Sequence, residues 1–182
     1  MSDLSKELLY KINGSPYFWR KKAEQMDFIV KTLKPTVEDH MTKLMEIIQN
    51  GKDDEILGLP PNVFEAVLAH MGYSIECLCK GAIIQNTPSF ISNGVIAKHL
   101  KTHNLLELLK LTGLEITRHD IDICNLSLRA IEKYRYPIPK NAEESESGMM
   151  ISLGKSYNEA YTDLYNKLYP LSSKFSKHDM DQ

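Results

Sequence analysis

The stretch that most constrains the fold is FEAVLAHMGYSIECLCKGAIIQ, residues 64–85. Phe64, Leu68, Met71, Ile75, Leu78 and Ala82 recur at alternating steps of four and three, which puts them on one face of a single long helix. A face this complete has to be buried, so the helix is expected at the centre of a bundle. Its other side carries Ala69 and Gly72, then Glu76 and Lys80, a Glu-before-Lys pair one turn apart worth a few tenths of a kcal/mol. A glycine inside a helix costs about 1 kcal/mol relative to alanine. Gly72 therefore marks the place where a second backbone is expected to come close.

A chain of 182 residues, 42% hydrophobic and 25% charged, suits one sizeable core. The net charge of −2, from 22 basic and 24 acidic residues, gives no global pull toward nucleic acid or an anionic membrane. Any nucleic-acid contact has to come from a local patch. The longest uninterrupted apolar runs fall short of the roughly 20 residues of a membrane helix, and the start MSDLSKELLYK lacks the apolar stretch of a signal peptide. A cytoplasmic protein with no membrane partner is expected. Cys77 and Cys79 are two apart, which sends them to different sides of a helix, and Cys124 is remote. Neither a disulfide framework nor a metal cluster is expected from them. His40, His70 and His99 are scattered and make no ligand set, and no glycine-rich phosphate loop is present, so no metal and no cofactor is implied.

In chain order, Asn13-Gly14 closes an N-terminal segment over 1–15. Ser15-Pro16 reads as an N-cap and a first-turn proline. Trp19, Ala23, Met26, Val30 and Leu33 keep the helical period up to Pro35, predicting a helix over 16–34, with Arg20, Lys21 and Lys22 on a solvated face. Thr36 and Asp39 resemble a capping box ahead of Val37, Met41, Leu44, Met45 and Ile48. That stripe is either a second helix or the first one continued past a proline kink. Residues 51–61 read as a loop, whose Asp53, Asp54 and Glu55 lack the spacing of a cation site, and Asn62 is the N-cap candidate for the central helix.

After NTPSFISNG, a turn-rich connection, a shorter helix is expected over 104–112 with Gly113 as its C′ residue. Thr117 opens another, with Asp120 in the first turn where a carboxylate suits the helix dipole. Ile121, Cys124, Leu128, Ile131 and Arg135 form its seam, the expected second wall of the core, ending at Pro137 and Pro139. Residues 141–155 are acidic and serine-rich and read as a flexible connection. Ser156 and Glu159 box the start of a last helix lined by Tyr157, Tyr161, Leu164, Leu168 and Tyr169. These tyrosines are expected to pack on the core or on a dimer partner rather than to stack bases. No period-two apolar run and no repeat is found. The expected fold is all-α, an antiparallel bundle of about five to six helices. It divides into a segment 1–15, a bundle 16–140, the connection 141–155, and a tyrosine-rich helix with a polar tail over 156–182.

Four segments in this order, WRKKAEQMDFIV, GYSIECLCKGAII, KTHNLLELLKLTG and LRAIEKYRYPIP, resemble the HEPN superfamily, the higher eukaryotes and prokaryotes nucleotide-binding domain. The resemblance rests on Ser74-Ile75-Glu76, on His103-Asn104-Leu105-Leu106-Glu107-Leu108 and on Arg135-Tyr136-Pro137, and it covers residues 16–140. It implies a helical bundle that pairs into a homodimer, often in prokaryotic toxin–antitoxin, antiphage defence or RNA-processing settings. Active members are metal-independent endoribonucleases, marked by an arginine followed about four to six residues later by a histidine on a late helix. Paired across the dimer, these supply a base for the ribose 2′-OH and a cation for the phosphorane charge. Here Arg20, Arg118, Arg129 and Arg135 all lack a histidine at that spacing, and Arg118 is followed directly by His119. Lys98 and His103 have a comparable separation but lie on a different segment, and lysine does not replace the bidentate contact of arginine.

Two expectations result. The preferred one is a catalytically degenerate dimeric scaffold that binds RNA, a nucleotide or a cognate partner protein. Its groove would hold Glu76, Lys80, His103, Arg129, Glu132 and Arg135. The other is a metal-independent endoribonuclease with an unorthodox site, using His103 or His119 with Arg129 or Arg135. His103 is expected to cap or precede the helix after it. Arg129, Glu132 and Lys133 are expected on a solvated or dimer-rim face. Arg135 is expected to pair with Glu76 in a bridge that sets helix register.

Overall fold

The computed structural model describes residues 14–59, 63–92, 95–135 and 157–172. Pro35 does not end the first helix. α1 runs unbroken from Pro16–Gln49, 34 residues, so the stripes on either side of the proline belong to one element. An interior proline loses a backbone hydrogen bond. Here its ring is exposed, while Val30 and Val37, one before and one after, are buried in the core and hold both halves in line. Thr36 and Asp39 therefore form no capping box, and Asp39 instead accepts from Lys43 at 2.7 Å. Ser15 has the extended backbone of an N-cap, with Pro16 in the first turn, and Gly51 leaves the helix at φ 63°. The expected loop after it winds into a short 3-10 turn, Asp53–Gly58.

α2, Phe64–Asn86, is the central helix, and its burial goes further than one face. Val67, Ala69, Ser74, Cys77, Cys79 and Ile83 are buried as well as the expected stripe from Leu68 to Ala82, and so are Glu76 and Lys80, while Phe64 at the start of the stripe is half-buried. The side that carries Ala69, Gly72, Glu76 and Lys80 is therefore also interior. The reason lies in the number of neighbours: α1, α3 (Leu105–Leu111), α4 (Arg118–Arg135), α5 (Tyr157–Leu168) and the 3-10 turn Tyr169–Ser172 all pack on α2. A helix apolar all round is either a core helix or a membrane span. By length and composition α2 is long and apolar enough to cross a membrane, contrary to the expectation from its runs, and 89% of that window is buried inside the molecule.

Gly72 marks the crossing it was expected to mark. A Cβ there would lie 2.8 Å from Ile131 Cδ1 and 3.0 Å from Ser127 Cβ on α4. α3 is opened by Asn104, whose side chain accepts from Glu107 N at 3.2 Å, and closed by Gly113 at φ 76°. Thr117 opens α4 as expected, and it does so through a capping box that the sequence reading did not name: Thr117 N and Oγ1 donate to Asp120 Oδ2 at 2.8 and 2.7 Å. Its seam is rotated from the expected one. Asp120, Ile123, Cys124, Ser127, Ala130 and Ile131 are buried, whereas Ile121 and Leu128 are only half-buried. Asp120 is drawn inward by Lys167, and Ser127 fits over Gly72, and together they turn the helix.

α5 buries Ala160, Tyr161, Leu164 and Leu168, so its tyrosine row is a packing surface. Tyr157 meets Phe64 edge-on at 5.0 Å, Tyr161 Oη donates to Asp27 Oδ1 at 3.0 Å, and Tyr169 Oη donates to Glu24 at 2.8 Å. A two-residue antiparallel pairing, Ile91–Ser92 with Val95–Ile96, is the only strand structure among the described residues. The cap at Asn62, the stop at Pro137 and Pro139, the connection 141–155, the cap at Ser156 and the Arg135 side chain lie outside the described residues.

Candidate functional site

The buried face of α2 carries one charged cluster. Lys80 Nζ donates to Glu76 Oε1 at 2.7 Å, one turn back on the same helix. The Trp19 ring of α1 lies 5.3 Å from the same Nζ, within cation–π range. From the third side His103 brings Nδ1 to 3.0 Å from Oε2 and 3.2 Å from Oε1 of Glu76. The Glu76 and Lys80 side chains are 7% and 6% exposed, and that of His103 is 49% exposed.

Burying a lone ion costs several kcal/mol, and here the carboxylate is bonded on both oxygens. A carboxylate only accepts, so Nδ1 is assigned an imidazole proton. The chain before α3 sets this up. Thr102 Oγ1 accepts from Asn104 N at 3.0 Å and Asn104 caps α3, which holds His103 between two local bonds. His103 thus precedes the helix, as expected, and also pins residues 97–104 to α2. Chemically the arrangement is an oriented imidazole backed by a carboxylate, with a cation bound to the same carboxylate.

The remaining site candidates fall elsewhere. Arg129 and Glu132 are exposed on α4 and His119 is exposed in its first turn, so the structure does not gather them with the buried cluster. Glu76, the expected partner of Arg135, is already engaged by Lys80 and His103. The other arginines with described side chains bond away from His103: Arg20 lies over the Tyr17 and Tyr169 rings beside Glu24, and Arg118 donates to Asp122. Lys98, His99 and Lys101 are exposed on the turn Lys98–Lys101 next to His103.

Two buried carboxylates and one aromatic were missed. Asp27 takes Tyr161 on one oxygen and Lys31, at 2.6 Å, on the other. Its signal was present: it sits between Ala23 and Val30 on the apolar stripe of α1, where an aspartate needs partners. Asp120 was read only as a dipole partner, yet Lys167 donates to it at 2.8 and 3.1 Å. Burial works to raise its pKa, but the Lys167 and Thr117 hydrogen bonds outweigh that and hold it below the usual aspartate value. Trp19 over Lys80 had no sequence signal.

Burial pushes the Cys77 and Cys124 thiols up to about 12 and Cys79 well above its ordinary value, which removes all three as thiolate nucleophiles. Among the described residues no group of three His, Cys, Asp or Glu is placed to hold a metal ion. A cavity of about 190 Å³ lies among Gly14, Pro16, Ile84, Gln85, Pro88 and Ile91, and an open one of about 490 Å³ between the end of α1 and the turn Asp53–Gly58. Neither is lined by Glu76, Lys80 or His103. No family model, curated protein or solved structure matches this chain.

Proposed function

We propose that the chain is a catalytically degenerate, HEPN-like binding module, a cytoplasmic homodimer that holds RNA, a nucleotide or a cognate partner protein in a toxin–antitoxin or antiphage setting. The observation that carries this reading is the closed bonding of Glu76. Its carboxylate is shared by Lys80 and His103 inside the bundle, and no described arginine joins His103. Phosphodiester cleavage needs a cation free to meet developing charge, and Lys80 is buried and bonded to Glu76. The exposed Lys98 and Lys101 supply the local positive patch that a phosphate-bearing ligand requires in a chain of net charge −2.

The test is incubation of purified protein with total RNA in EDTA, with light scattering on the same sample. Intact RNA and a dimeric mass are the expected result. Cleavage that His103→Ala abolishes would sink the reading. One observation favours that second possibility, a metal-independent ribonuclease: the carboxylate holds Nδ1 and so fixes the ring of a half-exposed imidazole.

A further inference from the structure

Arg20, Lys21 and Lys22 read in sequence as one solvated face, and the structure separates them. Lys21 and Lys22 are exposed, but the Arg20 side chain is only 18% exposed. Its guanidinium lies over two rings, 5.5 Å from the centroid of Tyr17 and 5.8 Å from that of Tyr169. Its ion-pair partner is Glu24, and both oxygens of that carboxylate are taken: Tyr169 donates to Oε1 at 2.8 Å and Lys21 to Oε2 at 2.7 Å. Arg20 Nε comes only to 3.7 Å from Oε1 and is buried without a hydrogen-bond partner. No acceptor among the described residues is hydrogen-bonded to this guanidinium. A planar fork of five donors, flanked by aromatic rings and given no acceptor, has the form of a phosphate receptor.

The side chains around it alternate cation and ring. At about 100° per residue, the order around the outward side of the first turns of α1 is Arg20, Tyr17, Lys21, Phe18, Lys22. Tyr17 and Phe18 are each 37% exposed and meet edge-on, with 87° between their planes. Lys22 is exposed and forms no ion pair among the described residues. A nucleic-acid strand carries a phosphate beside every base, which matches cations interleaved with rings. One nucleotide cannot fill the surface, because rings set edge-on do not stack on the same base. An acidic peptide would engage the cations and leave both rings without a planar partner.

We propose that the start of α1 binds a single nucleic-acid strand, with phosphates on Arg20 and Lys22 and bases on Tyr17 and Phe18. Lys21, bonded to Glu24, adds to the local positive potential. The surface goes beyond the module proposed above, since it needs neither the dimer nor the Glu76 cluster.

Anisotropy of a labelled oligouridine, read on the whole protein across salt concentrations, tests this. Each lost phosphate contact lowers the slope of log affinity against log salt by about 0.7 for a single strand. Arg20→Gln and Lys22→Gln are each expected to lose that much slope, and about fivefold in affinity at ~0.1 M salt. Lys22 is exposed, so its variant carries the test even where Arg20→Gln unsettles the fold. Phe18→Ala is expected to weaken binding at least about fivefold with the slope unchanged, which separates stacking from charge. No binding by the wild type, an unchanged slope in either charge variant, an unchanged affinity in Phe18→Ala, or equal affinity for a glutamate peptide would each overturn the proposal. Binding lost in a Lys98→Gln, Lys101→Gln double variant but not in the α1 variants would move the strand to that turn, which overturns this surface and leaves the reading above standing.

Discussion

Asp39–Lys43 on α1 and Glu76–Lys80 on α2 are the same kind of pair: an acid, a base four residues later, and a 2.7 Å contact. Asp39–Lys43 stands in solvent, where such a pair contributes about 0.3–0.5 kcal/mol. Glu76–Lys80 is inside the bundle, under Trp19 and against His103. Identical spacing thus describes an ornament in one helix and a structural commitment in the other. What separates them is the number of neighbours around the helix, which no local pattern encodes.

The largest expected effect is at α2. Glu76→Ala strands the Lys80 charge and releases His103, and should cost about 3–5 kcal/mol in denaturant unfolding. Replacing Glu76 and Lys80 together with Gln and Met should recover most of that loss, because no buried charge then lacks a partner. A recovery of less than about 1 kcal/mol would show that the pair itself, rather than the stranded charge, supplies the stability.

Next in size is the Gly72 crossing. Alanine gains about 1 kcal/mol of helix propensity but drives a methyl against Ile131 and Ser127 at an overpacking cost of about 1–3 kcal/mol. A net loss of about 1 kcal/mol is expected, eased by Ile131→Val. A stabilised Gly72→Ala would mean that α4 can step back.

Asp120 and Glu24 then predict the acid limb. Burial opposes the charge of each, and the bonds from Lys167 and Thr117, or from Lys21 and Tyr169, prevail and lower the pKa. A carboxylate lowered in the fold contributes fully above its unfolded value near pH 4, and that contribution disappears as pH falls through the folded value. Asp120→Asn should therefore flatten the stability loss below about pH 4 in thermal melts across pH. The smallest effect belongs to the exposed pair. Asp39→Ala should shift stability by about 0.5 kcal/mol or less, and 1 M salt should erase the difference.

Much of the architecture was legible because it is local. Asn104 and Gly113 bracket α3, Thr117 opens α4 with Asp120 in its first turn, and Gly72 announces its crossing. The errors arose where tertiary packing overrides a local rule. Pro35 is a breaker by propensity and left one helix or two open, and buried residues on both sides keep α1 whole. The α4 seam turned toward Asp120, because a lysine 47 residues away bonds it. At the site, Glu76, Lys80 and His103 were each singled out, and 27 residues of sequence separate the contact that joins His103 to the pair. Arg129 and Glu132 were named both for the groove and for a solvated face of α4, and both are exposed on α4.

The all-round burial of α2 also governs how the chain is made. Its 23 residues leave the ribosome when only α1 is available to shield them, before α3, α4 and α5 have been synthesised. For that interval the nascent chain displays a helix with the length and composition of a bilayer-spanning segment. Its biogenesis should consequently depend on the factors that meet hydrophobic nascent chains, and a truncation after Gly113 should be retained by them or aggregate.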